Sequence, residues 1–413
     1  MPTPDGHLPL ENMDRELVTH WQGFKTGDFK QKWDSSKQII ARGRSEVSAL
    51  LALLEDPATD GETRWFTIRA LGHFPDPTVI AALVTHMDSI AGQAELSEDQ
   101  AAELSSFTIE TLAAMGPLAV EVLSRFLTSP RQRRSAAKAL NQIRSSQIIP
   151  AMATVVDDDD ALVRYYAIDA LGSFHNSAVT PLLIAALRDR ASRVRKAAVM
   201  ALGRRRDLQT EQQLSQKIEP LLWDISVDVS CQAALALGRL GDSRSLPKLE
   251  QVLPAATTPL ALRIDAVRAL GWYQDRSSSD RQLLDLLARL LRTAIANQSE
   301  ELPPADATAV AVAIVQAVAN YRRCRDLATD ILLEHLTLDT SPNILQPLIM
   351  ALASLGAPQT FEALLPLLYH SSELIAIHTI AALKQLDRDG SYGRVQAYVS
   401  TQPHSCHQAL ELW

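Results

Sequence analysis

The residues whose types and spacing could do chemistry are mostly arginines. Between residues 131 and 206, which we call the basic belt, there are 14 Lys and Arg against six Asp and no Glu, a local balance of +8. The whole chain of 413 residues has a net charge of −8. Guanidinium groups bind carboxylates through two parallel hydrogen bonds. A positive segment on an acidic chain therefore predicts a docking surface for an anionic partner.

The candidate partner contacts are cations of this belt and aromatic rings that stand beside an arginine. An exposed ring next to an arginine forms a frequent hot-spot pair, and it could also stack against a planar pigment. Core packing is the competing interpretation of the rings, and a solvated face is that of the belt. The candidates are Arg131, Arg133, Arg134, Arg164, Arg188, Arg190, Arg195, Lys196, Arg204, Arg205, Tyr165, Tyr166 and Trp65.

Soft metal ligands come together near the carboxyl-terminal end of the sequence. His404, Cys406 and His407 place three donors within four residues, which could hold part of a metal or iron–sulfur centre. The sequence has no second half-site, so an exposed polar tail is the favoured interpretation and no metal site is predicted. Cys231 and Cys324 lie within helical patterns and are expected to be buried as small apolar residues.

The motifs of common enzyme classes are missing from the sequence. It contains no GxxxxGK[ST], GxGxxG, HExxH or GxSxG, which phosphate cradles, zinc proteases and serine hydrolases need. No catalytic residue and no cofactor are therefore predicted, and binding is favoured over catalysis. The isoelectric point of about 5.7 argues against nucleic-acid binding. The longest apolar stretch, residues 307–319, is too short to span a membrane, and a cytoplasmic location is expected.

The elements that must position these residues come from an internal repeat. The tripeptide Ala-Leu-Gly ends at residues 72, 172, 203, 238 and 271, and weaker copies centre on Leu112, Leu140, Val318, Leu352 and Leu383. Taking the central residue as an anchor, apolar residues recur eight, four and one positions before it and three after it. This spacing marks one stripe of a helix, and a second apolar segment follows each anchor. Stacked pairs of antiparallel helices, an all-α solenoid of about 10–11 repeats, are predicted.

Three further features of the sequence predict local structure. Five copies have Arg seven positions before the anchor, and we expect each to pair with an acid in the loop before its own helix, as Asp160 with Arg164 and Asp189 with Arg195. The glycine after the anchor is expected to loosen the helix end for a turn. The acidic run at 157–160 is expected to cap a helix or to shield the belt. An eleventh, degraded copy centres on Ile39, where Lys32 takes the arginine column.

Composition and repeat pattern predict the following boundaries. Residues 1–13 are expected to be disordered, 14–297 to form the main repeat block, and 307–390 to form further repeats. Residues 298–306, acidic and rich in proline, are expected to be an insertion or hinge, and residues 91–100 a second insertion. Residues 391–413 depart from the repeat and are predicted to be a cap or a tail.

The repeat resembles a known family. The segment V-R-Y-Y-A-I-D-A-L-G at 163–172, and the similar segments at 194–203 and 64–72, resemble the HEAT-like repeat first named in phycobilisome lyases of cyanobacteria. The resemblance covers roughly residues 30–390 and implies an α-solenoid. It implies no catalytic residue, because the shared motif consists of packing residues.

Three functions remain open at this point. The first is a scaffold or adaptor that grips proteins with acidic surfaces, which the resemblance places in the assembly or turnover of a cyanobacterial photosynthetic complex. Contact with the cytosolic face of the thylakoid membrane is then possible. The second is a bilin lyase or lyase-isomerase, with a bilin as bound cofactor. The third is an accessory protein for iron–sulfur or metal delivery that uses the His/Cys tail.

Overall fold

The structure is a computed structural model, and it describes residues 10–90, 97–254, 257–273, 279–296 and 303–401. All regular secondary structure within these ranges is helical, as the repeat pattern predicts. The chain forms two compact units, residues 1–198 and 199–413. The boundary falls within a helix.

The first unit contains the helices up to this boundary. They are α1 (Leu10–Thr26), α2 (Phe29–Arg42), α3 (Val47–Glu55), α4 (Gly61–Leu71), α5 (Pro77–Ile90), α6 (Glu98–Ala114), α7 (Pro117–Phe126), α8 (Arg133–Gln142), α9 (Ile149–Ala153), α10 (Ala161–Leu171), α11 (Thr180–Ala186) and the boundary helix α12 (Ser192–Leu202).

The second unit contains the helices after this boundary. Its helices are α13 (Gln209–Gln212), α14 (Leu214–Ile218), α15 (Val227–Leu240), α16 (Leu246–Val252), α17 (Leu260–Leu270), α18 (Ser279–Ile295), α19 (Pro304–Ala319), α20 (Arg325–Leu333), α21 (Pro342–Leu355), α22 (Thr360–Leu364), α23 (Glu373–Leu386) and α24 (Ser391–Ser400).

The helices that carry the anchors form one layer in each unit. In the first unit α2, α4, α6, α8 and α10 pack in this order, and in the second unit α15, α17, α19, α21 and α23 do the same. All ten anchors are fully buried, as is Ile39 of the degraded copy in α2. The helix that follows an anchor helix packs on the next anchor helix along the chain, for example α7 on α8, α16 on α17 and α20 on α21. The predicted all-α solenoid of helix pairs is confirmed.

The glycine of the Ala-Leu-Gly tripeptide serves a different purpose from the predicted one. Gly72 and Gly271 have ordinary helical φ values of −57° and −64°, so their backbone does not require glycine. A Cβ on Gly238 would lie 2.7 Å from the Cα of Ala269, the residue before the next anchor. A Cβ on Gly271 would likewise lie 2.8 Å from the Cα of Ala317. The glycine after one anchor and the alanine before the next thus allow neighbouring anchor helices to approach closely.

Several predicted boundaries can be compared with the helices. Helix α1 begins at Leu10, so the boundary expected after residue 13 falls inside it. Helix α19 begins at Pro304, so the insertion predicted at 298–306 extends too far into the following repeat. Residues 391–400 form α24, whose Val395 and Val399 are fully buried against the last repeat. Residues 1–9, 91–96, 297–302 and 402–413 lie outside the described residues.

Two properties bear on the excluded function classes. None of the described helices is long and apolar enough to cross a membrane. Within the same ranges no group of three or more His, Cys, Asp or Glu side chains could hold a metal ion. The candidates His404, Cys406 and His407 lie outside the described residues, so the metal hypothesis for the tail stays a prediction.

Candidate protein-binding surface

The cations seven positions before the anchor form a ladder of ion pairs in the first unit. Three of them pair with a carboxylate in the loop before the anchor helix of the next repeat, whereas Arg64 donates to the carbonyls of Asp56 and Pro57 in the loop before its own helix. The expected pair of Arg164 with Asp160, in the loop before its own helix, was therefore wrong by one repeat. The pairs are Lys32 with Asp60 at 3.4 Å, Arg133 with Asp158, and Arg164 with Asp189 at 2.7 Å.

Arg164 is the most completely satisfied member of this ladder. Its Nε and Nη2 donate to the two carboxylate oxygens of Asp189 at 2.7 and 2.8 Å, and its Nη1 donates to the carbonyl of Asp158 at 2.8 Å. Burial opposes ionisation of Asp189, but the hydrogen bonds from Arg164 and from the Ala191 N–H, together with the charges of Arg164 and Arg190, hold the pKa of this carboxyl below its usual value. The side chain of Arg164 is only 4% exposed and ties α10 to the loop that follows α11.

The acidic run at 157–160 both caps a helix and neutralises the belt. Asp160 accepts the Leu162 N–H at 2.9 Å, which caps α10, and Arg134 approaches the same carboxylate at 2.6 Å. Burial would raise the pKa of Asp160, but these two contacts together lower it. Asp158 pairs with Arg133. Both roles expected for the run are thus present in the structure.

The belt cations fall into three groups once their surroundings are known. Arg164 and Arg205, only 3% and 5% exposed, are unavailable to a partner, which corrects the prediction that they contact one. Others are partly exposed but bonded within the chain: Arg133, Arg134, Arg190 through the Asp159 carbonyl, Arg195 through the Asp189 carbonyl, and Arg204 through the Met200 carbonyl. Lys196 is half-buried. Arg131 and Arg188 are exposed and have no polar partner among the described residues.

A groove of about 860 Å³ lies where the amino ends of α8 and α10 meet the end of α5. Its walls carry both signs of charge. Arg131, Arg133 and Arg134 stand opposite Asp88 and the acidic run 157–160, of which three residues line the groove. Since the arginines there are largely neutralised by these carboxylates, the groove has little net charge to offer an anionic ligand.

Aromatic rings occupy neighbouring columns on successive anchor helices of the first unit. Trp33 on α2 and Trp65 on α4 both stand six positions before their anchor, and Phe107 on α6 stands five before its own. All three are half-buried, and the rings of Trp65 and Phe107 stack with centroids 4.5 Å apart and planes 15° apart. Offset stacking at such distances is favourable beyond the area that it buries.

Cations cover the edge of this aromatic row. The guanidinium of Arg69 lies 4.0 Å from the centroid of the Trp33 ring, and the ammonium of Lys37 lies 5.4 Å from it. Both distances suit cation–π attraction. We call the surface formed by Trp33, Trp65, Phe107, Lys37 and Arg69 the aromatic face.

Two aromatic residues are adjacent in the sequence at two places, Trp65 with Phe66 and Tyr165 with Tyr166. Phe66 is fully buried whereas its neighbour Trp65 is half-buried, so one ring faces the core and one the surface. Tyr165 and Tyr166 are both half-buried, with ring centroids 5.4 Å apart. Burial and, after it, the charge of Asp169 raise the pKa of the Tyr165 phenol. Partner binding by these rings stays a prediction.

Sequence reasoning missed Trp33, Lys37, Arg69 and Phe107. The signal was present, because Trp33 stands in the same column as Trp65 and Tyr165 once the degraded copy at Ile39 is placed in register. The partner contacts were instead predicted mainly from net charge, which favours the basic belt at residues 131–206.

Comparisons with known proteins agree with this architecture. Residues 149–226 match the HEAT repeats family, and residues 231–253 match the PBS lyase HEAT-like repeat. This is a HEAT-repeat protein. Its repeats resemble the phycobilisome lyase type, as the sequence pattern indicates. No curated protein matches the chain.

Two solved structures have a similar fold. Importin beta in an ammonium sulfate condition is 16% identical, with 95% of this chain and 66% of that chain covered and a TM-score of 0.51. The karyopherin Kap121p bound to the extreme C-terminus of the protein phosphatase Cdc14p is 13% identical, with 92% of this chain and 50% of that chain covered and a TM-score of 0.53. This chain therefore spans two thirds or less of these larger proteins.

Proposed function

We propose that this HEAT-repeat protein is a protein-binding scaffold that holds an extended, carboxylate-rich segment of a partner along the aromatic face of its first unit. The observation that carries the proposal is the row of half-buried rings bordered by cations on successive anchor helices. Rings supply contact area with little entropy to lose, and the cations select carboxylates.

The repeat architecture supports an elongated rather than a compact ligand. Neighbouring columns on α2, α4 and α6 present one ring each, so side chains spaced along an extended segment can meet successive repeats. The karyopherin named above is described as bound to the extreme C-terminus of another protein, which is a binding mode of this type. Solenoids in general use the surfaces of stacked repeats for such ligands.

The proposal is tested by placing a photo-crosslinking amino acid at Trp65 of the full chain. Cross-linked partners are identified by mass spectrometry, and the affinity of the purified partner is then measured. We expect Trp65→Ala and Arg69→Gln each to weaken this affinity by about tenfold or more, as truncation of a hot spot does.

Two control variants make the same chemical changes elsewhere. Arg125→Gln removes an exposed arginine of α7, and Tyr392→Ala removes an exposed ring of the second unit. Both should leave the affinity unchanged, and thermal melting should show that all four variants fold. Equal effects of the face and control variants would contradict the proposal.

The setting proposed for this scaffold rests on the repeat type. Because residues 231–253 match the PBS lyase HEAT-like repeat, we propose that the partner takes part in the assembly or turnover of a photosynthetic complex, at the cytosolic face of its membrane. Partners from the cross-linking experiment that have no connection with light harvesting would contradict this setting while the scaffold function stands.

The same match supports a bilin lyase as the second candidate function. A lyase binds the linear tetrapyrrole itself, and the half-buried rings and cations of the aromatic face suit a planar pigment with propionate groups. Titration of the full chain with phycocyanobilin tests this, since binding shifts and sharpens the visible absorption of the pigment. An unchanged spectrum would contradict the lyase candidate.

A further inference from the structure

A second cluster of cations lies in the second unit, at the amino ends of α18 and α20. Arg281 stands in the first turn of α18. Arg322 and Arg323 belong to the 3₁₀ turn Arg322–Cys324, and Arg325 begins α20. The four arginines line a concavity of about 600 Å³ together with Cys324, Asp326 and Leu327. We call these four residues the arginine cluster.

The repeat brings the cluster together from distant parts of the sequence. Helices α18 and α20 are the second helices of consecutive repeats and pack against each other. Since every second helix runs in the same direction, their amino ends lie on the same edge of the unit. The exposed N–H groups there add partial positive charge to that of the arginines.

The cluster differs from the basic belt in that its charges are not neutralised. Among the described residues that line the concavity, Asp326 is the one carboxylate; it approaches Arg325 Nε at 3.4 Å and makes no two-pronged contact with it. Within the described part of the chain, the guanidinium groups of Arg281, Arg322 and Arg323 have no hydrogen-bond or ion-pair partner, and all are exposed. The neighbouring Asp280 is only 7% exposed and belongs to the interior.

The geometry favours a compact ligand with several negative charges. A planar guanidinium binds phosphate oxygens through two parallel hydrogen bonds, and a phosphate monoester offers three such oxygens with nearly two charges. Arginine clusters recognise phosphorylated side chains in this way. A flat anionic membrane fits less well, because the exposed carboxylates of Asp285 and Asp330 follow one helical turn after Arg281 and Asp326 and would face the lipid headgroups.

We propose that the arginine cluster binds a phosphorylated side chain on a segment of a partner protein. This site is separate from the aromatic face and does not depend on the function proposed for it. A scaffold with such a site would capture one partner only after that partner has been phosphorylated.

Fluorescence anisotropy of the full chain with labelled peptides tests the proposal. The probe is a degenerate pool of short peptides with a central phosphoserine, compared with the same pool carrying serine and with one carrying glutamate. We expect binding of the phosphorylated pool alone, weakened by added salt and competed by an excess of inorganic phosphate. Equal binding of all three pools, or of none, would overturn the proposal.

Variants assign the binding to the cluster. Arg322→Gln/Arg323→Gln removes two exposed charges, and we expect it to weaken binding of the phosphorylated pool by about tenfold or more. The control Arg289→Gln/Arg388→Gln removes two other exposed charges of the same unit and should bind as the unchanged chain does. Equal affinities of the two double variants would overturn the assignment. Phosphatidylserine vesicles that bind and displace the phosphorylated pool would show a membrane site instead.

Cys324 provides a measurement that needs no peptide. Its thiol is half-buried within the concavity, so the local potential governs its reaction with charged reagents. The anionic reagent iodoacetate should modify Cys324 faster, relative to neutral iodoacetamide, in the folded chain than in the urea-unfolded chain. This ratio should fall severalfold in Arg322→Gln/Arg323→Gln. A ratio that the variant leaves unchanged would contradict a positive potential in the concavity.

Discussion

Consecutive repeats are joined by different chemistry in the two units. In the first unit, Arg133 and Arg164 reach carboxylates in the loop before the next anchor helix. In the second unit the hydroxyl of Tyr273 donates to the carbonyl of the previous anchor, Leu237, at 3.1 Å. The hydroxyl of Tyr321 donates in the same way to Leu270 at 2.6 Å.

This difference determines where charge is available for binding. The first unit contains most of the basic belt, yet its ladder and its acidic run neutralise many of those cations. In the second unit the hydroxyls of Tyr273 and Tyr321 link consecutive repeats through neutral hydrogen bonds, beside the exposed ion pair of Arg292 with Glu334, and the arginine cluster keeps most of its charge. The density of cations along a sequence is therefore a poor guide to the charge that a surface presents.

The largest expected effect comes from breaking the ladder at its most buried pair. Arg164→Met leaves the carboxylate of Asp189 nearly buried without its cation, which should lower the free energy of unfolding by about 3 kcal/mol. Urea denaturation measures this loss.

Two further variants test whether the loss belongs to the pair. Arg164→Met/Asp189→Asn should lose less than the two single variants together, because it leaves no unpaired charge. Arg188→Met, at an exposed position, should be nearly neutral. Equal losses of unfolding free energy for Arg164→Met and Arg188→Met would show that the buried ion pair does not stabilise the first unit more than an exposed arginine does.

The next effect concerns the close approach of anchor helices in the second unit. Gly238→Ala places a methyl group 2.7 Å from the Cα of Ala269, and the resulting overpacking should cost about 2 kcal/mol. The control is Gly393→Ala in α24, where the added methyl group meets nothing within 4 Å. The control should be neutral or slightly stabilising. Thermal melting of both variants decides whether glycine is needed at position 238 for the close approach of neighbouring helices or for the conformational freedom of its backbone.

Acid should weaken the first unit through His86. Burial, with a contribution from the charge of Arg64, lowers the pKa of His86 from 6.5 to about 4. Below pH 6.5 the unfolded chain therefore takes up a proton that the folded chain does not. Between pH 7 and pH 5 this difference should lower the free energy of unfolding by about 2 kcal/mol.

The variant His86→Leu isolates this effect from other titrations. Its urea midpoint should depend less on pH in this range than that of the unchanged chain. The exposed His175 provides the control, since His175→Leu should retain the full dependence. The same pH dependence in His86→Leu would show that the histidine is not the titrating group.

The smallest expected effect comes from removing the neutral hydrogen bond between the Tyr321 hydroxyl and the Leu270 carbonyl. Tyr321→Phe removes the hydrogen bond to Leu270 and leaves a buried carbonyl without that donor, which should cost about 1 kcal/mol. Tyr398→Phe is the control, at a half-buried ring of the same unit whose hydroxyl has no hydrogen-bond partner among the described residues, and it should be nearly neutral. The free energy of unfolding should depend on ionic strength in the same way for Tyr321→Phe and for the unchanged chain. A different dependence would contradict a neutral hydrogen bond at this position.

The regular columns of the sequence were sufficient to predict the fold. A stripe of apolar residues around each anchor can be buried only by a neighbouring helix, so helix pairs and their stacking follow from the periodicity alone. The burial of Cys231 was predicted for the same reason and is confirmed at 8% exposure. Cys324 was expected to be buried as well, but it lies in a 3₁₀ turn and is half-exposed, because the α-helix begins only at the next residue, Arg325.

The candidate site was predicted less well, since it depends on which repeat a side chain reaches. Arg164 pairs with Asp189, 25 residues ahead, and not with Asp160, which is closer in sequence. Asp160 instead caps α10 and pairs with Arg134. No property of a single repeat distinguishes these alternatives, because the distance between loops of neighbouring repeats is set by the packing of the anchor helices.

The sequence by itself determined the helices, their pairing, the buried anchors and the overall sign of the charge, because each of these depends on local periodicity or on composition. Only the tertiary structure decided which cations remain available. Stacking places the loops of consecutive repeats side by side, so that carboxylates neutralise arginines of the belt. The same stacking gathers Arg281 with Arg322, Arg323 and Arg325, more than 40 residues apart in the chain, and the described lining of their concavity includes a single carboxylate.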